Sequence, residues 1–282
     1  MATADATVGR QSGPAWFRPA SVRRVAEMVA GGAIFIVALE VFLGYNLLDP
    51  ALWSLFAPAF WAGILRTLTY IGLVLPLSVG LGFTLGWVRV SRFRALAWPV
   101  SVYVEFFRGV PPLVIVLFAS ILGPNLFPER FQSAELGLIL GAFAIGLHSA
   151  AFQGEIFRAG FQSVPRGQLD AAQAIGMRPL QAMRSVLLPQ ALRLSLPPLS
   201  NEFAVLIKDT SLMAIIAGGD LFHVSQLFLD QSVLTGTGDL HWLFVVWTAV
   251  ALVYFVMTFT VTRVMRMVER RYHARGLEGI SI

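Results

Sequence analysis

The chain has 282 residues, 56% of them hydrophobic and only 13% charged, with a mean hydropathy of +0.71. A soluble domain carries roughly 25% charged residues, so a globule surrounded by water is excluded and a bilayer is the natural solvent. The formal net charge is +5, but the basic residues stand between apolar runs, which argues against a nucleic-acid-binding face, and without cysteine there is no disulfide framework, thiolate zinc site or thiol catalysis.

A crossing needs about 20 apolar residues. Runs near 26–47, 61–88, 98–122, 136–157 and 242–267 qualify. The first follows Arg23 and Arg24, is too long for a signal-peptide core and has no small-x-small site near Gly44 to Leu47, so it reads as a retained span. Glu40 and Arg66 lie near the outer interface of the first two spans, where solvation or snorkelling accounts for them. A sixth run, near 194–218, is weak because it contains Pro197, Pro198, Glu202, Lys208 and Asp209.

Charge alternation decides the sixth crossing. Arginines cluster in the N-terminal tail (Arg10, Arg18, Arg23, Arg24), after the second span (Arg89, Arg92, Arg94), after the fourth (Arg158, Arg166, Arg178, Arg184, Arg193) and at the C-terminus (Arg263, Arg266, Arg270, Arg271, Arg275). Segments 48–60 and 219–241 have no Arg or Lys, and 123–135 has only Arg130. Cytoplasmic loops carry the excess of basic residues, and the clusters fall on one side only if 194–218 crosses. The expectation is an all-α polytopic bundle of six spans with both termini in the cytoplasm: a tail at 1–24, a separate N-terminal helix at 25–48, a core at 60–272 with a cytoplasmic loop at 159–193, and a tail at 273–282.

Ionisable residues inside spans are functional hypotheses by default. Arg108, followed by Gly109 and the Pro111-Pro112 pair, reads either as a gate on a broken helix or as an arginine snorkelling to the cytoplasmic interface. Glu105, Glu155, Arg158 and Glu202 lie toward cytoplasmic ends and suit ion pairs between helix ends. Gln153 lies deeper and suits a polar lining. Lys208 and Asp209 are adjacent and point apart on a helix, so each needs its own partner or a wet cavity. Ser211, Ala214 and Ala217 leave room either for a ligand or for close helix packing. Asp220, Asp230 and Asp239, in the outer segment 219–241, read as solvated loop or as a docking surface.

The loop at 159–193 carries the most specific signal. Asp170 to Ile175 is good helix sequence, with the acidic residue taken to lie near the helix start. Gly176 stands where a left-handed residue ends a helix. Pro179 suits the first turn of a second helix, Leu180, Met183, Val186 and Leu187 follow at helical spacing, and Pro189 is expected to close the loop. The result is two short helices joined by an elbow, with Ala171 and Ala172 as a slim surface for a partner's groove and Ile175 and Met177 as apolar anchors.

Asp170, Ala171, Ala172, Gly176, Val186, Leu188 and Pro189 stand at the spacing of the EAA motif, with Asp for Glu and Val for Ile. On this the chain resembles the permeases of ABC importers. YVEFFRGVPPLV from Tyr103, EIFRAGFQSVPRGQ from Glu155, LPQALRLSLPPLSNEF from Leu188 and IKDTSL from Ile207 are similar to the polar amino-acid subfamily, and the resemblance covers roughly 60–272. Val110-Pro111-Pro112 departs from the more usual Thr-Pro-Leu. The resemblance implies a five-helix type I importer core plus one N-terminal helix. It makes the elbow the coupling helix seated in an ATPase subunit, through Asp170, Ala171, Ala172, Ile175, Gly176 and Met177. It also implies a second permease chain, identical or similar, and an extracytoplasmic binding protein that delivers a polar amino acid. The substrate path falls to Arg108, Gly109, Pro111, Gln153, Glu155, Lys208, Asp209, Ser211, Ala214 and Ala217. No GxxxxGK[ST] loop occurs, so ATP and Mg belong to the partner ATPase; this chain is expected to hold no cofactor, metal or catalytic residue. The rival readings are a permease for another small solute, an ion-coupled secondary transporter using carboxylates such as Asp209, and a membrane scaffold.

Overall fold

The computed structural model describes residues 46–91, 94–236, 238 and 240–272, with scattered positions between 27 and 42. The expected first span at 25–48 falls largely outside the described residues; Glu40, Asp239 and the tail at 273–282 fall wholly outside them. Contacts divide the chain into Met1–Pro50 and Ala51–Ile282, and the second unit carries the features below.

Helix α1, Pro50–Val90, contains Pro58 and Pro76 but is continuous, and it begins well before the run at 61–88. Helices α2, Arg94–Gly109, and α3, Pro112–Leu117, meet at 106°. Pro111 is extended, with φ −57° and ψ 134°. Each residue preceding a proline is pushed out of helical geometry, and neither proline has an N–H to continue the ladder. The run at 98–122 is therefore not one straight crossing. A π-helical turn, Phe118–Leu122, and a 3₁₀ turn, Gly123–Leu126, prolong α3.

Helix α4, Ala134–Gln162, starts at Ser133, whose Oγ accepts from the Leu136 N–H at 3.0 Å, with Glu135 in the first turn. The short helices α5, Arg166–Ala174, and α6, Pro179–Ala182, follow. A π-helical turn, Met183–Leu187, then joins α6 to α7, Leu188–Asp209, and a 3₁₀ turn, Thr210–Ile216, extends it. The chain is thus helical without interruption over Pro179–Ile216. Pro189 does not close the loop: it lies in the first turn of α7, where a missing N–H is tolerated. Helix α8, Leu221–Thr235, occupies the segment expected to be an outer loop, and α9, Leu240–Tyr272, ends the described chain.

By length and apolarity α1, α4 and α9 can each cross a membrane alone; counting the bent pairs α2–α3 and α7–α8 as one crossing each, the described helices supply up to five. Apolar tails offer no hydrophobic drive between helices, so close van der Waals packing holds the bundle. Helices α1 and α4 run parallel and touch at glycines: a Cβ on Gly86 would lie 2.7 Å from the Gly154 carbonyl oxygen, and one on Gly82 would lie 2.7 Å from the Gln153 Cβ. Helices α4 and α7 meet where a Cβ on Gly160 would overlap Ser195. Tyr70, Val74, Val116, Ile145, Leu206 and Met213 form one core cluster. Phe157, Phe161, Leu199 and Phe203 form another, with Trp87 packed against it.

Candidate functional site

The elbow is built as the local sequence dictates. Helix α5 is capped at Ile175, Gly176 takes φ +87°, the Gly176 N–H donates to the Gln173 carbonyl at 2.9 Å and the Met177 N–H to the Ala172 carbonyl at 3.1 Å. This paired closure satisfies the last carbonyls of the helix. Nothing lies within 4 Å of where a Gly176 Cβ would be, so glycine is required here by the backbone angle rather than by space. The Arg178 N–H donates to the Gln181 Oε1 at 2.9 Å and Pro179 opens α6.

Ile175 is 75% exposed, Asp170 and Ala171 are exposed, and Met177 is half-buried. Two expectations change. Helix α5 begins at Arg166, a turn earlier than expected, so Asp170 lies mid-helix rather than near the start. Ala172 is buried, as is Ala182 on the other arm; Ala172 packs inward and leaves Ala171 and Ile175 as the presented surface.

The ends of α1, α2 and α4 are tied by charge. Glu155 accepts from Arg89 at 2.6 Å and pairs with Arg158, which also donates to the Gln162 Oε1 at 2.6 Å. Arg89 lies 3.7 Å from Glu105 and donates to the Ser101 Oγ at 3.2 Å. The ion pairs expected for Glu105, Glu155 and Arg158 are present, with Arg89, a loop charge by sequence alone, as the partner that Glu105 and Glu155 share. Glu202 is different: among the described residues it makes no ion pair, and it accepts from the Ser149 Oγ at 2.8 Å.

That contact belongs to a relay across three helices. The Gln153 amide donates to the Ser78 Oγ at 2.8 Å and the Ser149 Oγ at 3.0 Å, linking α1 and α4 to Glu202 on α7. Gln153 is fully buried and its Oε1 has no hydrogen-bond partner among the described residues; it sits in the α1–α4 contact rather than on an open wall. Arg108 lies over the Phe152 ring at 5.6 Å. With Phe152, Glu155, Ser163, Leu194 and Pro198 it lines a groove of about 360 Å³. Gly109 and Pro111 are exposed at the break beside it.

At the far end of α7, Lys208 is exposed and Asp209 half-buried, and neither makes an ion pair or hydrogen bond through its side chain among the described residues. The Ser211 Oγ donates to the Lys208 carbonyl at 2.7 Å. Ala214 is buried in helix packing, and Ala217 is exposed at φ +57°, the one non-glycine with positive φ among the described residues. Asp220 is not solvated: it is fully buried and caps α8, accepting from the Phe222 N–H at 3.1 Å, while the Leu221 N–H donates to the Thr67 Oγ1 at 3.0 Å. Asp230 is exposed. Helix α8 was signalled by Asp220 before an apolar run and Gly236, at φ +64°, after it.

Residues 78–274 match the model of the family described as "Binding-protein-dependent transport system inner membrane component". The chain belongs to this family. It is therefore a multi-pass inner-membrane permease subunit of an ABC importer, a transport component that works with an ATPase and a substrate-binding protein. The chain is 35% identical over 229 residues to the "L-cystine transport system permease protein TcyB" of Bacillus subtilis (strain 168), covering 78% of this chain and 90% of that one. It is 31% identical over 225 residues to the "Glutamate/aspartate import permease protein GltK" of Escherichia coli O157:H7, covering 75% of this chain and 97% of that one. Among solved structures, "Crystal structure of an amino acid ABC transporter with histidines" matches with a TM-score of 0.65 at 29% identity, covering 80% of this chain and 98% of that chain. A methionine ABC transporter, MetNI, matches with a TM-score of 0.57 at 17% identity, a likeness of fold.

Proposed function

We propose that this permease imports a polar amino acid, and that the elbow formed by Asp170, Ala171, Ala172, Ile175, Gly176 and Met177 receives the motion of the ATPase. The observation that carries the proposal is a glycine-turned, exposed elbow that continues without a break into α7. Ile175 and Ala171 offer the apolar, slender surface that a groove in a second protein accepts, with Met177 at its edge. Two permease chains, identical or similar, enclose the route, and an extracytoplasmic binding protein loads it. The elbow and both termini face the cytoplasm, as the arginine alternation requires. ATP and Mg bind the ATPase, not this chain.

An amino-acid substrate is supported by the relatives, named for cystine and for glutamate and aspartate, and by the chemistry of the groove. Arg108 offers a cation for an α-carboxylate beside the charges around Glu155. The break at Gly109 and Pro111 gives the route backbone groups free of helical bonds. Lys208, Asp209 and Ser211 stand at the other end of α7. In the broken bundle each of these groups keeps hydrogen-bonding capacity that a passing zwitterion uses in place of water.

The test is Gly176→Val, assayed in vesicles with the ATPase and the binding protein. A β-branched residue at positive φ is a genuine backbone outlier, and the left-handed conformation costs about 1–2 kcal/mol, so the elbow opens. The variant should reach the membrane in normal amount and lose uptake and substrate-stimulated ATP hydrolysis. Undiminished uptake overturns the coupling assignment.

A further inference from the structure

Helices α1 and α4 carry matched charges at both ends of their charge-free stretches. Along α1, about 35 Å separates Arg66 from Arg89, and along α4 about 30 Å separates Glu135 from Glu155. Both stretches are free of charge between those residues, and both match a hydrocarbon core about 30 Å thick. At one edge the Arg–Glu pair is closed, Arg89 to Glu155 at 2.6 Å. At the other, Arg66 and Glu135 make no ion pair among the described residues and stand instead at the mouth of a groove of about 300 Å³.

The groove runs inward between the helices over Tyr70, Leu73, Leu77, Ile139 and Phe143. From Arg66 to Leu77 is about 16 Å of helix, the depth of a single leaflet. Trp61, 63% exposed and about one turn before Arg66, is of the residue type that settles at headgroup level. Below the mouth the walls are apolar, with Leu73 65% exposed and Ile139 59% exposed.

We infer that this groove is a binding site for one phospholipid of the leaflet at the Arg66 end, with its phosphate on Arg66, its headgroup ammonium on Glu135 and one acyl chain between Leu73, Leu77, Ile139 and Phe143. A cation and an anion at one mouth fit a headgroup that carries both signs, as phosphatidylethanolamine does, and disfavour one that carries only negative charge. The site rests on the placement of α1 and α4 across the membrane and is independent of the transport assignment.

The test is lipid retention by the full chain in complex with its ATPase, purified from vesicles of phosphatidylethanolamine and phosphatidylglycerol and measured by native mass spectrometry. One phosphatidylethanolamine per permease chain should be retained in preference to phosphatidylglycerol. Arg66→Gln should weaken retention by about tenfold or more, the range of a lost charge-assisted hydrogen bond. Glu135→Gln should remove the preference while keeping the lipid. Equal retention of both lipids by the native chain, or unchanged retention in Arg66→Gln, overturns the site. Because the chain has no cysteine, Leu73→Cys gives a second reading. Labelling of Cys by a lipid-borne thiol reagent supports the inference. Efficient disulfide cross-linking to a second copy, or to a cysteine placed elsewhere in the same chain, means that protein covers the groove and overturns it.

Discussion

Ser149 has two partners on two helices, donating to Glu202 and accepting from Gln153. Ser149→Ala leaves both with unmet polar groups in a buried setting, at a cost of about 1–3 kcal/mol. Thermal unfolding in detergent should fall by several degrees, since about 1 kcal/mol shifts a chain of this size by roughly 2–4 °C. Ser163→Ala is the control: among the described residues its Oγ bonds only to the Ala159 carbonyl of its own helix, and it is exposed, so its transition should not move. The sequence pointed to Gln153, Glu155 and Glu202 as polar groups out of place, because charge and amide are conspicuous in apolar runs. It did not supply their partners. Ser78 lies 75 residues before Gln153, and a serine in a span excites no suspicion until a neighbouring helix is laid against it.

Between elements, the α1–α4 seam depends on a missing side chain. Gly86→Val would drive a Cβ to 2.7 Å from the Gly154 carbonyl oxygen and from the Phe157 Cβ, and backbone on both sides cannot yield. Overpacking of this kind costs about 1–3 kcal/mol or more, so the variant should run as an aggregate on size exclusion and lose the Arg89–Glu155 closure. Gly72→Ala, with nothing within 4 Å of its Cβ, should behave as wild type. The elbow was legible at this scale because its cap is local chemistry, a glycine shortly after the Ala171-Ala172 pair. The continuity of α6 with α7 was not, since Pro189 reads as a stop unless the preceding π-helical turn is known. Helix α8 was missed for a different reason: Asp220, Asp230 and Asp239 in one segment suggested a loop, whereas Asp220 is a cap drawn inside.

For the whole molecule, the sidedness proposed from the arginines makes a direct prediction. Asn125 lies in the turn beyond α3 and Gln173 on α5, both exposed. In intact cells a membrane-impermeant maleimide should label Asn125→Cys and spare Gln173→Cys until the membrane is opened. The native chain, free of cysteine, supplies the blank. Labelling of both from the same side would refute the topology. Hydropathy and charge sufficed to place a polytopic chain in a bilayer. They do not report a 106° break, because a bend changes direction without changing composition.

The uninterrupted helix from Pro179 has a mechanical consequence. From Pro179 to Asp209 it is about 45 Å long, and its close approach to α4, Ser195 against Gly160, falls near the midpoint. A rod pinned at its centre is a seesaw with nearly equal arms. If the elbow takes up the motion of the ATPase as proposed, drawing it sideways by a few ångströms should swing Asp209 by a similar distance the opposite way, so that a single input moves both ends of the rod in step.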